Sequence, residues 1–214
     1  MDGVLVDNVD HHVEAWRCFG HELRKDLTEE AIRETFGQRN REMLEALLGR
    51  SLSDQGVQQH GERKEELYRK LMGPDLQAKA VPGLVDFLSQ LKEQDYRMAV
   101  ATSGPPENAN FVLDGLGIRN YFHAVVTGAD VVRGKPDPEI FLLAAKQLGL
   151  SPWRCVVFED SSSGIAAARQ AGSPCVALAT THQTEELCKF LPDLIIRDFR
   201  EVNPDRVSEL VETG

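Results

Sequence analysis

The chain is 214 residues long, enough for one large domain or a core domain with a modest insert, and its 42% of apolar residues can build a substantial core. Its 34 acidic and 24 basic residues leave a net charge of -10, a field that repels nucleic acid and anionic membranes but still admits a small anionic substrate where local charge allows. No run approaches the ~18 apolar residues of a membrane span, no charged-then-apolar stretch opens the sequence, and Cys18, Cys155, Cys175 and Cys188 form neither a Cys-x-x-Cys pair nor zinc spacing, so reduced thiols in a cytoplasmic protein are expected.

Near the start, Asp2 is followed by Gly3, which permits a tight backbone turn. From His11 to about Met72 the spacing is helical: Val13, Trp16 and Phe19, then Leu44, Leu47 and Leu48, then Leu67 and Leu71. Thr28 and Ser53 suit helix caps, and the stretch predicts a bundle of about four helices without a strand. Beyond the breakers Gly73-Pro74 and Pro82-Gly83, short apolar strands alternate with helices. Helices are predicted at Leu84 to Lys92, Asn108 to Leu116, Pro138 to Leu148 and Ser163 to Ala171. Strands are predicted at Arg97 to Ala101, His123 to Thr127, Cys155 to Phe158, Cys175 to Leu178 and Leu194 to Ile196. That alternation implies an α/β fold, a parallel sheet covered on both faces.

Ligand sites on such sheets lie beyond the carboxyl ends of the strands. Thr102-Ser103, Lys135 and Glu159-Asp160 each follow a predicted strand, and Asp2 would follow one lying ahead of it. Glu159-Asp160 offers hard oxygen ligands for Mg2+, or simply a cap for the next helix. Lys135, between Gly134 and Pro136-Asp137-Pro138, is aimed by a stiff turn in which Asp137 suits a cap and Pro138 a first helical position; it is either a phosphoryl-binding cation or an exposed lysine. Thr102-Ser103-Gly104 can cradle an anion with hydroxyl and backbone N–H, cap a helix, or both. Asp2 is a candidate general acid/base, Asp7 a candidate for tying the loop to backbone, and His11 and His12 read as packed or helix-start histidines, with His12 also able to face a substrate.

Four segments in order, Met1-Asp2-Gly3-Val4-Leu5-Val6-Asp7, Val100-Ala101-Thr102-Ser103, Gly134-Lys135-Pro136-Asp137-Pro138 and Phe158-Glu159-Asp160-Ser161, resemble the four signatures of the haloacid dehalogenase-like hydrolases. The helices after the first signature, with His12 and Trp16, resemble the cap of the β-phosphoglucomutase-like branch. The resemblance implies a Rossmann-like three-layer core, residues 1-9 and 79-214, with a helical-bundle cap, residues 10-78. It also implies a nucleophilic Asp one position before Met1, at the end of a first core strand, so that Met1 is expected to be an internal methionine of a longer chain. By the same resemblance Mg2+ is held by that Asp, the backbone carbonyl of Asp2 and Asp160, with Glu159 helping. Thr102, the Ser103 backbone and Lys135 bind the phosphoryl group, and Asp2 serves as acid/base. His12, Arg39, Asn40 and Lys64 are the cap candidates for substrate, with Arg41 an alternative cation and a solvated helical charge the plainer identity of Lys64. The expected activity is Mg2+-dependent hydrolysis of a small phosphorylated metabolite, a sugar or polyol phosphate, with no nucleic-acid, membrane or protein partner. The alternatives are a hexose-phosphate mutase and a non-catalytic relative that only binds ligand.

Overall fold

The computed structural model describes residues 1–35, 38 and 40–212. Its first helices are α1 (Val9–Glu22), α2 (Glu29–Glu34), α3 (Asn40–Leu48) and α4 (Asp54–Met72). Their apolar stripes meet in one cluster, with Val13, Trp16 and Phe19 of α1 against Ile32 of α2 and Met43, Leu44 and Leu48 of α3. The caps are those the sequence suggests: Thr28 Oγ1 accepts from the Ala31 N–H at 3.3 Å, and Ser53 Oγ from the Gly56 N–H at 3.2 Å. No helix among the described residues is long and apolar enough to cross a membrane.

The remaining elements alternate: α5 (Leu84–Glu93), β1 (Ala99–Ala101), α6 (Pro106–Gly115), β2 (Ala124–Val126), α7 (Glu139–Leu148), β3 (Val157–Glu159), α8 (Ser162–Ala171) and β4 (Cys175–Leu178). After them come α9 (Thr184–Leu187), β5 (Leu194–Ile196) and α10 (Pro204–Glu212). β3 closes on Glu159, one residue past the apolar run, which carries an acid into the sheet's end. Pro138 precedes α7 rather than opening it, and the Asp137 carboxylate accepts from the Glu139 N–H at 3.0 Å. Neither α9 nor α10 stood out in the apolar spacing; α10 buries only Pro204, Val207 and Leu210.

All ladders are parallel, β1 with β2 and β3 with β4 with β5. Alternate residues face opposite layers, as the period of two requires. Val100, Phe158, Val176, Leu178 and Ile196 pack with α5, α6 and α10, while Ala99, Ala101, Val157, Cys175 and Ala177 pack with α7 and α8. Both strand groups share the same two apolar layers, so they are halves of one three-layer arrangement.

Between the halves lies a cavity of about 870 Å³, bordered by Ala99 to Ala101 of β1 and by Val156 to Phe158. β4, paired on both sides, is buried at all four positions, whereas Ala99, Ala101, Val157 and Phe158 are only half-buried. The Thr102 N–H donates to Val126 O and Met98 O accepts from the His123 N–H, so strand alternation points the Ala99 and Ala101 backbone groups into the cavity. By the same rule the Val157 N–H donates to Pro174 O, and the Val156 and Phe158 groups face the opening.

Candidate active site

The N-terminal turn is held from several directions. Gly3 N–H donates to Val6 O at 2.8 Å, Leu5 N–H to Met1 O at 2.7 Å, and the Thr180 hydroxyl to Gly3 O. Gly3 has a φ of +65°, and any Cβ there would strike the Asp160 carboxyl and Thr181, so the position needs glycine twice over. Asp2 Oδ1 accepts from Asn8 Nδ2 at 2.6 Å and lies 3.5 Å from His12 Nε2. Partial burial works against the Asp2 charge, but the His12 ring and the Asn8 amide hold its carboxyl well below the usual carboxylate range. Asp2 thus rests as a carboxylate. Asp7 ties the loop through its backbone, its N–H donating to Lys79 O at 2.8 Å, rather than through its exposed carboxylate.

On the sheet side, Lys135 Nζ forms a buried ion pair with Glu159 Oε1 and lies 4.9 Å from the Phe141 ring centre. Glu159 Oε2 accepts from the Asp160 N–H, the Ser161 N–H and the Ser161 hydroxyl at 3.0–3.3 Å. Burial opposes the Glu159 charge, but Lys135 and the Ser161 hydroxyl act together against it, and its pKa falls. Asp160 has the opposite fate: burial and then the Glu159 charge push it up to about 7, against a hydrogen bond from the Thr181 hydroxyl. Thr102 is buried, and its Oγ1 accepts from the Gly104 N–H at 3.2 Å as α6 is entered.

The helical side closes over this wall. His12 stacks on Tyr68, ring centres 3.9 Å apart, and its Nδ1 lies 2.9 Å from Lys64 Nζ. With Lys64 donating to Nδ1, the ring carries its proton on Nε2, toward Asp2. Lys64 is not a solvated helical charge: it is 2% exposed, 3.1 Å from Glu65 Oε1 and 5.0 Å from the Trp16 ring centre. Glu65 Oε2 in turn accepts from Asn108 Nδ2 at 2.7 Å, and Arg69 Nη1 donates to Asn108 Oδ1 at 2.8 Å, which pins α4 to α6. Asn8 Nδ2 also donates to the Tyr68 hydroxyl at 2.6 Å.

Together these groups enclose a pocket of about 100 Å³, lined by Asp2, His12, Asn40, Lys64, Thr102, Ser103, Lys135, Glu159 and Asp160 among others. Asp2, His12, Asn40, Lys64, Thr102, Ser103, Lys135, Glu159 and Asp160 therefore reach one place, while Arg39 lies outside the described residues. Two secondary candidates point elsewhere, Arg41 to Glu45 and Asp54, and His11 to Asp75 at 2.9 Å. Among the described residues no three His, Cys, Asp or Glu side chains form a group able to hold a metal ion. Asp2 is turned to Asn8 and His12, and Glu159 to Lys135 and Ser161. The donor chemistry nonetheless suits a hard dication: the carboxylates of Asp2, Glu159 and Asp160 line one pocket, and burial beside the Glu159 charge pushes Asp160 up.

Sequence reasoning passed over Asn8, Glu65, Tyr68, Asn108 and Thr181. Thr180-Thr181 lies just past β4, a predicted strand, so the rule that found the other strand-end residues would have found it too. Glu65 and Asn108 carried no such signal, since their pairing joins helices far apart in sequence.

Residues 1–172 match a family model described as a haloacid dehalogenase-like hydrolase. The chain belongs to the haloacid dehalogenase-like hydrolases. This hydrolase is 36% identical over 176 residues to the phosphorylated carbohydrates phosphatase of Thermotoga maritima, covering 80% of this chain and 79% of that one. It is 31% identical over 214 residues to the chloroplastic 5-amino-6-(5-phospho-D-ribitylamino)uracil phosphatase of Arabidopsis thaliana, covering 99% of this chain but 56% of that longer protein. The solved β-phosphoglucomutase of Clostridium difficile shares its fold with a TM-score of 0.87 at 26% identity, covering 99% of this chain and 94% of that one. By family resemblance the hydrolase is a phosphatase.

Proposed function

We propose that this hydrolase is a Mg2+-dependent phosphatase of small phosphorylated metabolites, sugar or polyol phosphates, working through an aspartyl-phosphate. One observation carries the reading: strand-end residues Thr102, Ser103, Lys135, Glu159 and Asp160 meet Asp2 in a single pocket that His12, Asn40 and Lys64 close from the helices. Residues 10-78 are then the cap, and residues 1-9 with 79-214 the core. Four unpaired thiols support a reducing, cytoplasmic setting.

In this mechanism a carboxylate presented at the end of the β1–β3 opening attacks phosphorus as the ester P–O bond breaks. Lys135, the Thr102 hydroxyl and the Ser103 backbone hold the phosphoryl oxygens. Asp2, once protonated, gives its proton to the leaving oxygen, then takes one from the water that hydrolyses the aspartyl-phosphate, releasing phosphate and restoring the carboxylate. Asp160 and the Asp2 backbone carbonyl would hold Mg2+, with Glu159 behind them, and the ion supplies charge neutralisation between phosphoryl group and carboxylates.

The test compares this chain with one carrying an apolar strand ending in Asp directly before Met1, on a panel of phosphate esters with Mg2+. Phosphate release by the extended chain is expected. Failure of the extended chain on every ester would sink the phosphatase reading. A mutase is the second reading, favoured by the kinship with β-phosphoglucomutase. Against it, Lys64 is already neutralised by Glu65, which leaves that side poorly charged to grip a second phosphate. Isomerisation of a hexose phosphate without phosphate release would reverse the preference.

A further inference from the structure

The side chains that bridge α4 and α6 allow only one order of donors and acceptors. Lys64, Glu65 and Asn108 are all buried. Burial opposes the Glu65 charge, but Lys64 beside it keeps its pKa low, so both carboxylate oxygens only accept. A guanidinium only donates. The Asn108 amide answers both, its Nδ2 donating to Glu65 Oε2 at 2.7 Å and its Oδ1 accepting from Arg69 Nη1 at 2.8 Å. Glu65 and Arg69 stand about one turn apart on one face of α4, so one side chain from the first turn of α6 holds that helix at two points. Sliding or turning α4 breaks at least one of them.

The grip reaches the pocket through Glu65. Its other oxygen, Oε1, lies 3.1 Å from Lys64 Nζ, which is also 2.9 Å from His12 Nδ1. An ammonium carries three N–H donors. Aiming two of them at fixed acceptors sets the direction of the third, which among the described residues is left for a molecule in the pocket that Lys64 lines. Because Glu65 already balances the Lys64 charge, that donor suits a neutral hydroxyl oxygen better than a second anionic group.

We propose that Asn108 is a positioning residue: acting through Glu65, it aims the Lys64 ammonium at a hydroxyl on the alcohol part of a phosphate ester, whose phosphoryl group is held from the strand ends. The ester rests on the phosphatase reading; the aiming of Lys64 does not.

Two variants of the full chain test it. Asn108→Asp keeps an acceptor for Arg69 and turns a second carboxylate on Glu65. Combining Asn108→Asp with Glu65→Gln exchanges donor and acceptor: the glutamine amide donates to the new carboxylate and accepts from Lys64, at unchanged net charge. Nitrogen NMR of the 15N-labelled chain reads the Lys64–His12 contact, since a lysine donating to Nδ1 keeps the ring proton on Nε2. Calorimetry with Mg2+ compares glucose 6-phosphate with inorganic phosphate, which has no alcohol part. In Asn108→Asp the single His12 tautomer should give way to a mixture. Glucose 6-phosphate should bind that variant about tenfold more weakly, with inorganic phosphate held within about twofold. The double variant should recover both the tautomer and the affinity ratio. An unchanged tautomer in Asn108→Asp, equal weakening of both ligands, or a double variant without the parental signals would overturn the proposal. Should the single variant not fold, the double variant decides alone by the same signals. If the parent binds neither ligand, yet the tautomer is lost in the single variant and restored in the double, the aiming of Lys64 stands and the phosphatase reading fails. If the parent binds both and the tautomer ignores Asn108→Asp, the aiming fails and the phosphatase reading stands.

Discussion

Asn8 is fully buried and divides one amide between Asp2 and the Tyr68 hydroxyl. Asn8→Ala should leave a half-buried carboxylate and the buried Tyr68 hydroxyl each short of a donor and lower stability by about 1–3 kcal/mol, read from the urea midpoint. Asp160 gives a pH signature. Its folded value of about 7 lies well above the ordinary aspartate range, so its proton is bound more tightly in the folded state. Its favourable contribution is complete below pH ~4 and is lost as pH rises through 7. Asp160→Asn should therefore be more stable than the parent by on the order of 2–4 kcal/mol at pH 8, with the difference shrinking toward pH 4. Millimolar Mg2+ should stabilise the parent and leave the variant unmoved; a parent–variant difference that is flat with pH would count against this account. At this scale the sequence was legible where chemistry follows a strand end, as at Thr102, Lys135 and Asp160. Asn8 was hidden because its value comes from Tyr68, sixty positions away.

Among the elements, α4 bears the most consequential contacts, because Lys64, Glu65 and Arg69 all serve one buried network with Asn108 of α6. Breaking one partner of a buried pair costs more than removing both charges. Lys64→Met alone should destabilise by about 3–5 kcal/mol, and the double variant Lys64→Met with Glu65→Gln by clearly less, a comparison that chemical denaturation makes directly. α8 depends on Gly164, where any Cβ would collide with the Glu159 carboxyl. Gly164→Ala should therefore displace Glu159 from Lys135 and lower the melting temperature by several degrees, at roughly 1–3 kcal/mol. Helix and strand positions were readable because caps and apolar periods are local. A buried Lys64 was not, since a charged residue on a polar stretch gives no hint of the ring and carboxylate that receive it.

On the scale of the whole molecule, the two half-sheets are joined by shared apolar layers and separated by the β1–β3 cavity. No local pattern in the sequence conveys such an interruption, because it is set by how elements far apart in the chain pack. The Lys135–Glu159 pair has a further consequence for the order of events. A phosphoryl group must draw Lys135 away from Glu159, and a dication beside Asp160 makes that release easier. Mg2+ and inorganic phosphate should then bind with positive heterotropic cooperativity, and thermodynamic reciprocity demands one coupling factor: calorimetry should find Mg2+ tightening phosphate by the same ratio as phosphate tightens Mg2+.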